Sequence, residues 1–118
     1  APGLVPALPE IGYRGLSTFG IRPRVSPVSG LLQVNTHIDL IDWRTRRFAG
    51  AEPVPAAFAQ ALSAARATGE PIGLLSHHLA MDGPAWDFLN SFWGRVGGLP
   101  GVNVAPAHEL FASGEARA

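Results

Sequence analysis

The chain has 118 residues, of which 47% are apolar and 15% are charged, and its nine basic and nine acidic residues cancel. This length and apolar content fit a single domain or a piece of one, spanning residues 1–118, although the charged fraction is below the usual value of about 25%. The neutral balance excludes a strongly basic surface for nucleic acid or anionic lipid, and the absence of cysteine excludes disulfides and thiolate metal sites.

The first quarter of the chain predicts a short helix and two strands. Residues 4–11 are typical of a short, proline-limited helix that ends at Gly12, and residues 13–19 predict a strand. Residues 20–30 contain prolines and glycines and predict a loop. Residues 31–35 predict a second strand, which runs into the polar sequence T-H-I-D.

The middle of the chain predicts a helix followed by a buried strand. Residues 55–68 carry the clearest helical pattern, with Pro55 in the first turn and Gly69 just past the end. Residues 71–76 form a continuous apolar run, which is typical of a strand in a parallel sheet covered on both faces.

The last third of the chain predicts a strongly apolar helix. It begins after Asp82 as N-cap and ends near residue 96, before two glycines. We expect it to bury Leu89 and at least one of Trp86 and Trp93, because so many large apolar groups cannot all be solvated. Two short elements follow, a strand at residues 102–105 and a helical turn at residues 107–113.

The order of these elements indicates an α/β fold. Strands alternate with helices, and parallel strands joined by helical crossovers form open sheets or barrels. We therefore expect three or four mostly parallel strands with flanking helices. In such folds, polar side chains at the carboxyl ends of the strands form the functional site.

The first candidate site group is D-x-x-D-W, formed by Asp39, Asp42 and Trp43 just past a predicted strand. Two carboxylates three residues apart can lie in different environments, and these environments can give them different acid–base roles. Alternatively, Asp39 and Asp42 accept hydrogen bonds from backbone amides in a turn while Trp43 packs on the core. The spacing alone leaves both interpretations open.

The second candidate group is the histidine pair His77 and His78, which follows the apolar strand at residues 71–76. Histidine titrates near neutral pH and is a common general acid or base. Adjacent strand residues point to opposite faces, so one histidine can face a site while the other faces solvent or a helix. His37 is a third candidate, because it lies two residues before Asp39 and shares a face with it if the chain stays extended. Together with Asp39 and His77 it is a loose metal-binding possibility.

Three segments together resemble the later part of a polysaccharide deacetylase (NodB-type) domain. They are G-Y-R-G-L-S-T-F at residues 12–19, V-N-T-H-I-D-L-I-D-W-R at residues 34–44 and P-I-G-L-L-S-H-H-L at residues 71–79. In that family a late strand ends in an Asp–x–x–Asp–Trp-like motif, and a following strand ends in a Leu–x–His or Leu–Leu–His motif. The resemblance covers nearly the whole chain and implies a partial (β/α) barrel.

The resemblance also implies roles for individual residues. His77 resembles the catalytic acid that protonates the leaving amine, and Asp39 resembles the late aspartate that orients a catalytic arginine. Trp43 resembles the tryptophan that lines the acyl pocket. Asp42 and His78 are further substrate-binding candidates, of which Asp42 matches the pattern without a definite role.

The chain departs from the family in its early motifs. It contains no Asp–Asp pair and no His-x-x-x-His pair, and no arginine precedes Tyr13. We therefore expect the C-terminal half of the domain, without the residues that bind the divalent metal, most often zinc, of such enzymes. The metal ligands would lie outside this chain.

Two functions remain open. The resemblance implies part of a metal-dependent hydrolase that removes an N-acetyl group from an amino sugar, with a carbohydrate as partner and with little activity expected of the isolated chain. The alternative is a non-catalytic fragment that pairs with a missing N-terminal half, or with itself, through open sheet edges. No apolar stretch nears the roughly 20 residues that cross a bilayer, so we expect a soluble protein, with the cytoplasm favoured.

Overall fold

The computed structural model describes residues 3–117, with side chains as far as residue 112, as a mixed α/β chain. Its strands are short and lie in small sheets, and three α-helices accompany them. Two 3₁₀ turns, Val5–Ala7 and Pro9–Ile11, open the chain. The strands and helices are, in order, β1 (Gly15–Leu16), β2 (Leu32–Gln33), β3 (Ile38–Asp39), β4 (Ile41–Asp42), β5 (Arg47–Phe48), α1 (Pro53–Ala65), β6 (Leu74–Leu75), α2 (Gly83–Val96) and α3 (Ala107–Arg117).

The segment at residues 31–40 is the central strand of the fold. Its first half, β2, pairs in parallel with β1, and its second half, β3, pairs in parallel with β6. A parallel bridge between Phe19 and Thr36 extends the first pairing. The strands β4 and β5 form a separate antiparallel hairpin directly after β3. The described residues therefore form open parallel pairs and a hairpin, and no closed barrel.

The central strand changes register at His37. The carbonyl of Gly73 accepts the amides of both His37 (2.7 Å) and Ile38 (3.2 Å). Two consecutive residues thus lie opposite one residue of the neighbouring strand, as in a β-bulge. Because a shift of one residue turns side chains to the other face, His37 and Asp39 face opposite ways. The expectation that His37 and Asp39 share a face is therefore wrong.

The core lies between the second half of the central strand and the helices. Ile38, Leu40 and Val54 form its fully buried centre. The ring of Phe48 packs at a tilt of 36° against the ring of Phe88 in α2, with centroids 5.3 Å apart, and this contact joins the hairpin to that helix. The remaining apolar side chains that pack on this centre are partly buried: Ala49, Ala57, Phe58, Ala61, Ile72, Leu74, Met81 and Leu89.

Helix α1 begins two residues earlier than the pattern at residues 55–68 predicts. Pro53 occupies the first turn, where the missing N–H of proline costs no hydrogen bond. Gly69 follows the helix with φ of +73° and donates its amide to the carbonyl of Ala65 at 2.8 Å. Gly12 likewise ends the second 3₁₀ turn with φ of +100°. Both glycines therefore follow helical segments, as the sequence predicts, in the left-handed conformation that favours glycine at such positions.

Two expectations about the C-terminal part are wrong. No strand forms at residues 102–105, which have no neighbouring strand to pair with in the described part of the chain. Trp86 and Trp93 of α2 stay 44% and 42% exposed, because Ala85, Phe88 and Phe92 supply the inward face instead. Leu89 is only partly buried.

The molecule is flat. Its extents are 42 × 35 × 22 Å, and its radius of gyration of 15.6 Å exceeds the roughly 13 Å typical of a compact 100-residue domain. Among residues 3–117, no helix is long and apolar enough to cross a membrane.

Candidate functional site

Asp39, Trp43 and His77 meet at the carboxyl ends of β3 and β6. The Oδ2 atom of Asp39 accepts the indole N–H of Trp43 at 2.9 Å and lies 3.2 Å from Nε2 of His77. The rings of Trp43 and His77 contact edge to face, with centroids 4.7 Å apart. The structure therefore brings three of the predicted site residues into mutual contact.

The local chain explains how these residues meet. Asp39 ends β3 opposite Leu75 of β6, so His77 follows two residues later at the same edge. The hairpin of β4 and β5 turns Trp43 back over the aspartate. The other carboxylate oxygen of Asp39, Oδ1, accepts the amide of Ile41 at 2.9 Å, which fixes the plane of the carboxylate.

The backbone of His77 is left-handed, with φ of +56°. A non-glycine residue in this conformation costs roughly 1–2 kcal/mol, and such strained residues cluster at active sites and ligand-binding turns. The turn that follows is held by a hydrogen bond from the amide of Ala80 to the carbonyl of His77 at 2.8 Å. His77 therefore points at Asp39 because of this turn and not because of strand alternation.

The contact with Asp39 fixes the roles of the two imidazole nitrogens of His77. A carboxylate only accepts hydrogen bonds, so Nε2 carries a proton and donates it to Asp39. The other nitrogen, Nδ1, has no hydrogen-bond partner among the described residues. The side chains of His77 and Asp39 are 29% and 24% exposed, so a ligand can reach them.

Asp42 and His78 do not join this group. The Asp42 carboxylate accepts the amide of Arg44 at 2.9 Å and lies 3.6 Å from the guanidinium Nε of the same residue. Asp42 thus accepts a backbone amide in the hairpin turn, which is the alternative to an acid–base role that its position in the sequence left open. His78 directly follows the left-handed residue His77, and its side chain is exposed. The substrate-binding roles predicted for both residues receive no support from their positions.

His37 belongs to a second, buried polar group on the other face of the central strand. Its Nδ1 accepts the amide of Gly73 at 3.1 Å, so its Nε2 donates to the carboxylate of Glu70 at 2.8 Å. Glu70 also accepts the amide of Arg22. The buried polar residues Glu70, Gln33 and Asn35 were not predicted, although polar residues at 33, 35 and 37 alternate with apolar ones at 32 and 34.

Asp82 joins helix α2 to the hairpin by hydrogen bonds to both. Its carboxylate accepts the amide of Ala85, as an N-cap, and the amide of Phe48 in β5 at 3.1 Å. These hydrogen bonds, from Ala85 first and Phe48 second, lower the pKa of Asp82 below its ordinary value of 3.8. The predicted N-cap is confirmed, and it also supports the hairpin that carries Trp43.

The residues present do not fit a metal site of their own. Within the described part of the chain, no three histidine or acidic side chains come close enough to hold an ion. Both oxygens of Asp39 already accept hydrogen bonds, and His37 lies on the opposite face. The possibility that His37, Asp39 and His77 share a metal is therefore wrong.

No protein-family profile, curated protein or solved structure matches this chain.

Proposed function

We propose that Asp39, Trp43 and His77 supply the general acid, and the residues that position it, in a hydrolytic site that removes an N-acetyl group from an amino sugar. The observation that carries this proposal is the single carboxylate oxygen of Asp39 that holds both His77 and Trp43. An imidazole paired with a fixed carboxylate and open on its other nitrogen is the usual arrangement of a general acid.

In this proposal His77 acts through its Nδ1 atom. When the imidazole is protonated, Nε2–H stays bonded to Asp39 and Nδ1–H points away from it, toward the leaving nitrogen of the substrate. Asp39 stabilises the charged ring and prevents its rotation. Trp43 holds the carboxylate in place and offers an indole face, half exposed, on which an acetyl group or a sugar ring can rest.

The resemblance to the NodB-type deacetylases supports a finer description of the fold. Parallel pairing of the strand that ends in D-x-x-D-W with the strand that ends in L-L-S-H is compatible with two neighbouring strands of such a barrel. We therefore infer part of a NodB-like (β/α) barrel. The metal ion of the family would have to be held by residues other than those described, so no step is derived through it.

The binding half of this proposal can be tested with the chain itself. Tri-N-acetylchitotriose should shift the indole N–H resonance of Trp43 and the ring resonances of His77 in NMR spectra, and the de-N-acetylated trimer should shift them less. The indole of Trp93, near the end of α2, is an internal control. Equal shifts at Trp43 and Trp93, or none at Trp43, would contradict the proposal.

The catalytic half needs a protein in which this chain is joined to metal-binding residues. There His77→Ala should lower acetate release by roughly 10²–10⁴-fold, the usual contribution of a general acid, with metal content unchanged. His78→Ala is the matched control and should have a mild effect, because His78 is exposed and lies outside the contact group. A larger loss in the His78 variant would show that the acid is assigned to the wrong histidine.

One observation favours the alternative, a non-catalytic fragment that assembles with another chain. In the described residues β1 and β6 each pair with one strand, so each has an open edge, and Tyr13 and Phe19 are exposed beside β1. Sedimentation velocity at rising concentration tests this function. Ser17→Lys, directly after β1, should reduce association, because a charge beside an edge strand opposes pairing, whereas Ser91→Lys on α2 should not. A monomer at all concentrations would refute self-assembly.

A further inference from the structure

The tip of the β4–β5 hairpin carries an unusual share of the positive charge of the chain. Arg44, Arg46 and Arg47 fall within four positions, although the whole chain has only nine basic residues. All three are exposed, and the side chain of Arg44 is 92% exposed. We call these three residues the arginine tip.

Backbone hydrogen bonds, rather than the guanidinium groups, close the turn of the hairpin. Its turn is closed by the carbonyl of Asp42, which accepts the amides of Thr45 at 3.2 Å and Arg46 at 2.7 Å. Arg46 also has φ of +57°, a conformation that glycine or asparagine adopts at lower cost. A long charged side chain therefore stands where the backbone favours a small one.

The charges of the tip are only partly neutralised. Arg44 lies 3.6 Å from Asp42, and Arg47 attracts Asp82 at longer range. Among the described side chains, Arg46 and Arg47 have no carboxylate within 4.0 Å. Their N–H groups remain available to an oxyanion, which a guanidinium binds through paired hydrogen bonds.

The arginine tip adjoins the candidate site through Trp43. Arg44 follows Trp43 directly, and the indole of Trp43 is bonded to the Asp39 carboxylate that also holds His77. We propose that the tip is an anion-binding subsite and that the substrate is an N-acetylated saccharide that also carries a carboxylate or phosphate. This inference rests on the proposed function, since it names the substrate class of the same site.

The test compares two saccharides on the intact chain at low and high ionic strength. One is tri-N-acetylchitotriose, which is neutral, and the other is an oligosaccharide of similar length in which N-acetylglucosamine alternates with glucuronic acid. The acidic saccharide should bind at least tenfold more tightly at 0.05 M salt. This advantage should shrink at 0.5 M salt, because the charges are exposed and screened.

Two pairs of variants locate the effect. Arg46→Gln with Arg47→Gln should weaken binding of the acidic saccharide by about 10–100-fold, since each charged hydrogen-bond partner contributes about tenfold or more, and should leave the neutral one unchanged. Arg66→Gln with Arg95→Gln removes the same charge from exposed positions elsewhere and should change neither.

The outcomes separate this inference from the proposed function. Equal affinity for the two saccharides, or an equal effect of the two pairs of variants, overturns the anion subsite. If the neutral saccharide still shifts Trp43 and His77 in that case, the proposed function stands without it. If the acidic saccharide binds through the tip but neither ligand shifts Trp43 and His77, the subsite stands and the deacetylase proposal fails.

Discussion

Replacing Gly73 by alanine tests the point at which the central strand meets β6. A Cβ atom at Gly73 would lie 2.5 Å from the carbonyl oxygen of Asn35 and 2.9 Å from Cα of Thr36. Both are backbone atoms, so they cannot move aside as the end of a side chain can. The two segments would have to separate until the contacts reach ordinary distances of at least 3.4 Å.

Separation would break the hydrogen bonds that converge on Gly73. Its carbonyl accepts the amides of His37 and Ile38, and its amide donates to His37 Nδ1. At about 1 kcal/mol for each bond, the loss is about 3 kcal/mol, a large part of the usual 5–15 kcal/mol of a domain. The buried pair of His37 and Glu70 would lose its orientation as well.

Urea denaturation followed by circular dichroism measures this loss for Gly73→Ala. Gly94→Ala is the matched control, because Gly94 lies inside α2 with no atom within 4 Å of the added Cβ. That variant should gain roughly 0.5–1 kcal/mol from the higher helix propensity of alanine. A Gly73→Ala protein as stable as the parent would refute the close approach of the two segments.

Three further predictions concern the site and its supports. Asp82 has a lowered pKa, so its contribution to stability should be complete above its ordinary value of 3.8 and should be lost as the pH falls through the lowered value. Asp82→Asn should therefore have a lower free energy of unfolding at neutral pH, and this free energy should depend less on pH in acid. Parallel curves of urea-unfolding free energy against pH for the two proteins would contradict this. Because His77 has a positive φ, His77→Gly should be more stable than His77→Ala by about 1 kcal/mol in thermal denaturation, and equal stability would argue against the left-handed turn. Leu40→Ala should lower the free energy of unfolding by about 2–5 kcal/mol, since Leu40 is fully buried, whereas Trp86→Ala should lower it by less than about 1 kcal/mol. Comparable losses in the two variants would show that Trp86 belongs to the core as much as Leu40 does.

The sequence predicts the parts of this structure that depend on local patterns. The helices α1 and α2, the N-cap Asp82 and the left-handed Gly12 and Gly69 follow from propensities and spacing within a few residues. The meeting of Asp39, Trp43 and His77 follows from polar groups placed at the ends of two apolar runs.

The parts that could not be predicted depend on contacts between distant residues. The bulge at His37 arises because one carbonyl of Gly73, 36 positions away, serves two amides. The burial of Glu70 depends on a loop amide from Arg22, 48 positions away. The number of large apolar residues in α2 predicts that at least one of its tryptophans is buried, whereas both are half-exposed and the neighbouring phenylalanines fill the core.

The residues of the candidate site differ greatly in their separation along the chain, and this difference determines the order in which they come together during folding. Trp43 lies four positions from Asp39, whereas His77 lies 38 positions away. Closing the longer loop costs about 2 kcal/mol more conformational entropy. Partial opening of the molecule should therefore release His77 first and leave the carboxylate and the indole together. Hydrogen exchange would report this as earlier loss of protection in β6 than in the hairpin, so the proposed proton donor His77 would be the last of the three residues to join the site in folding and the first to leave it.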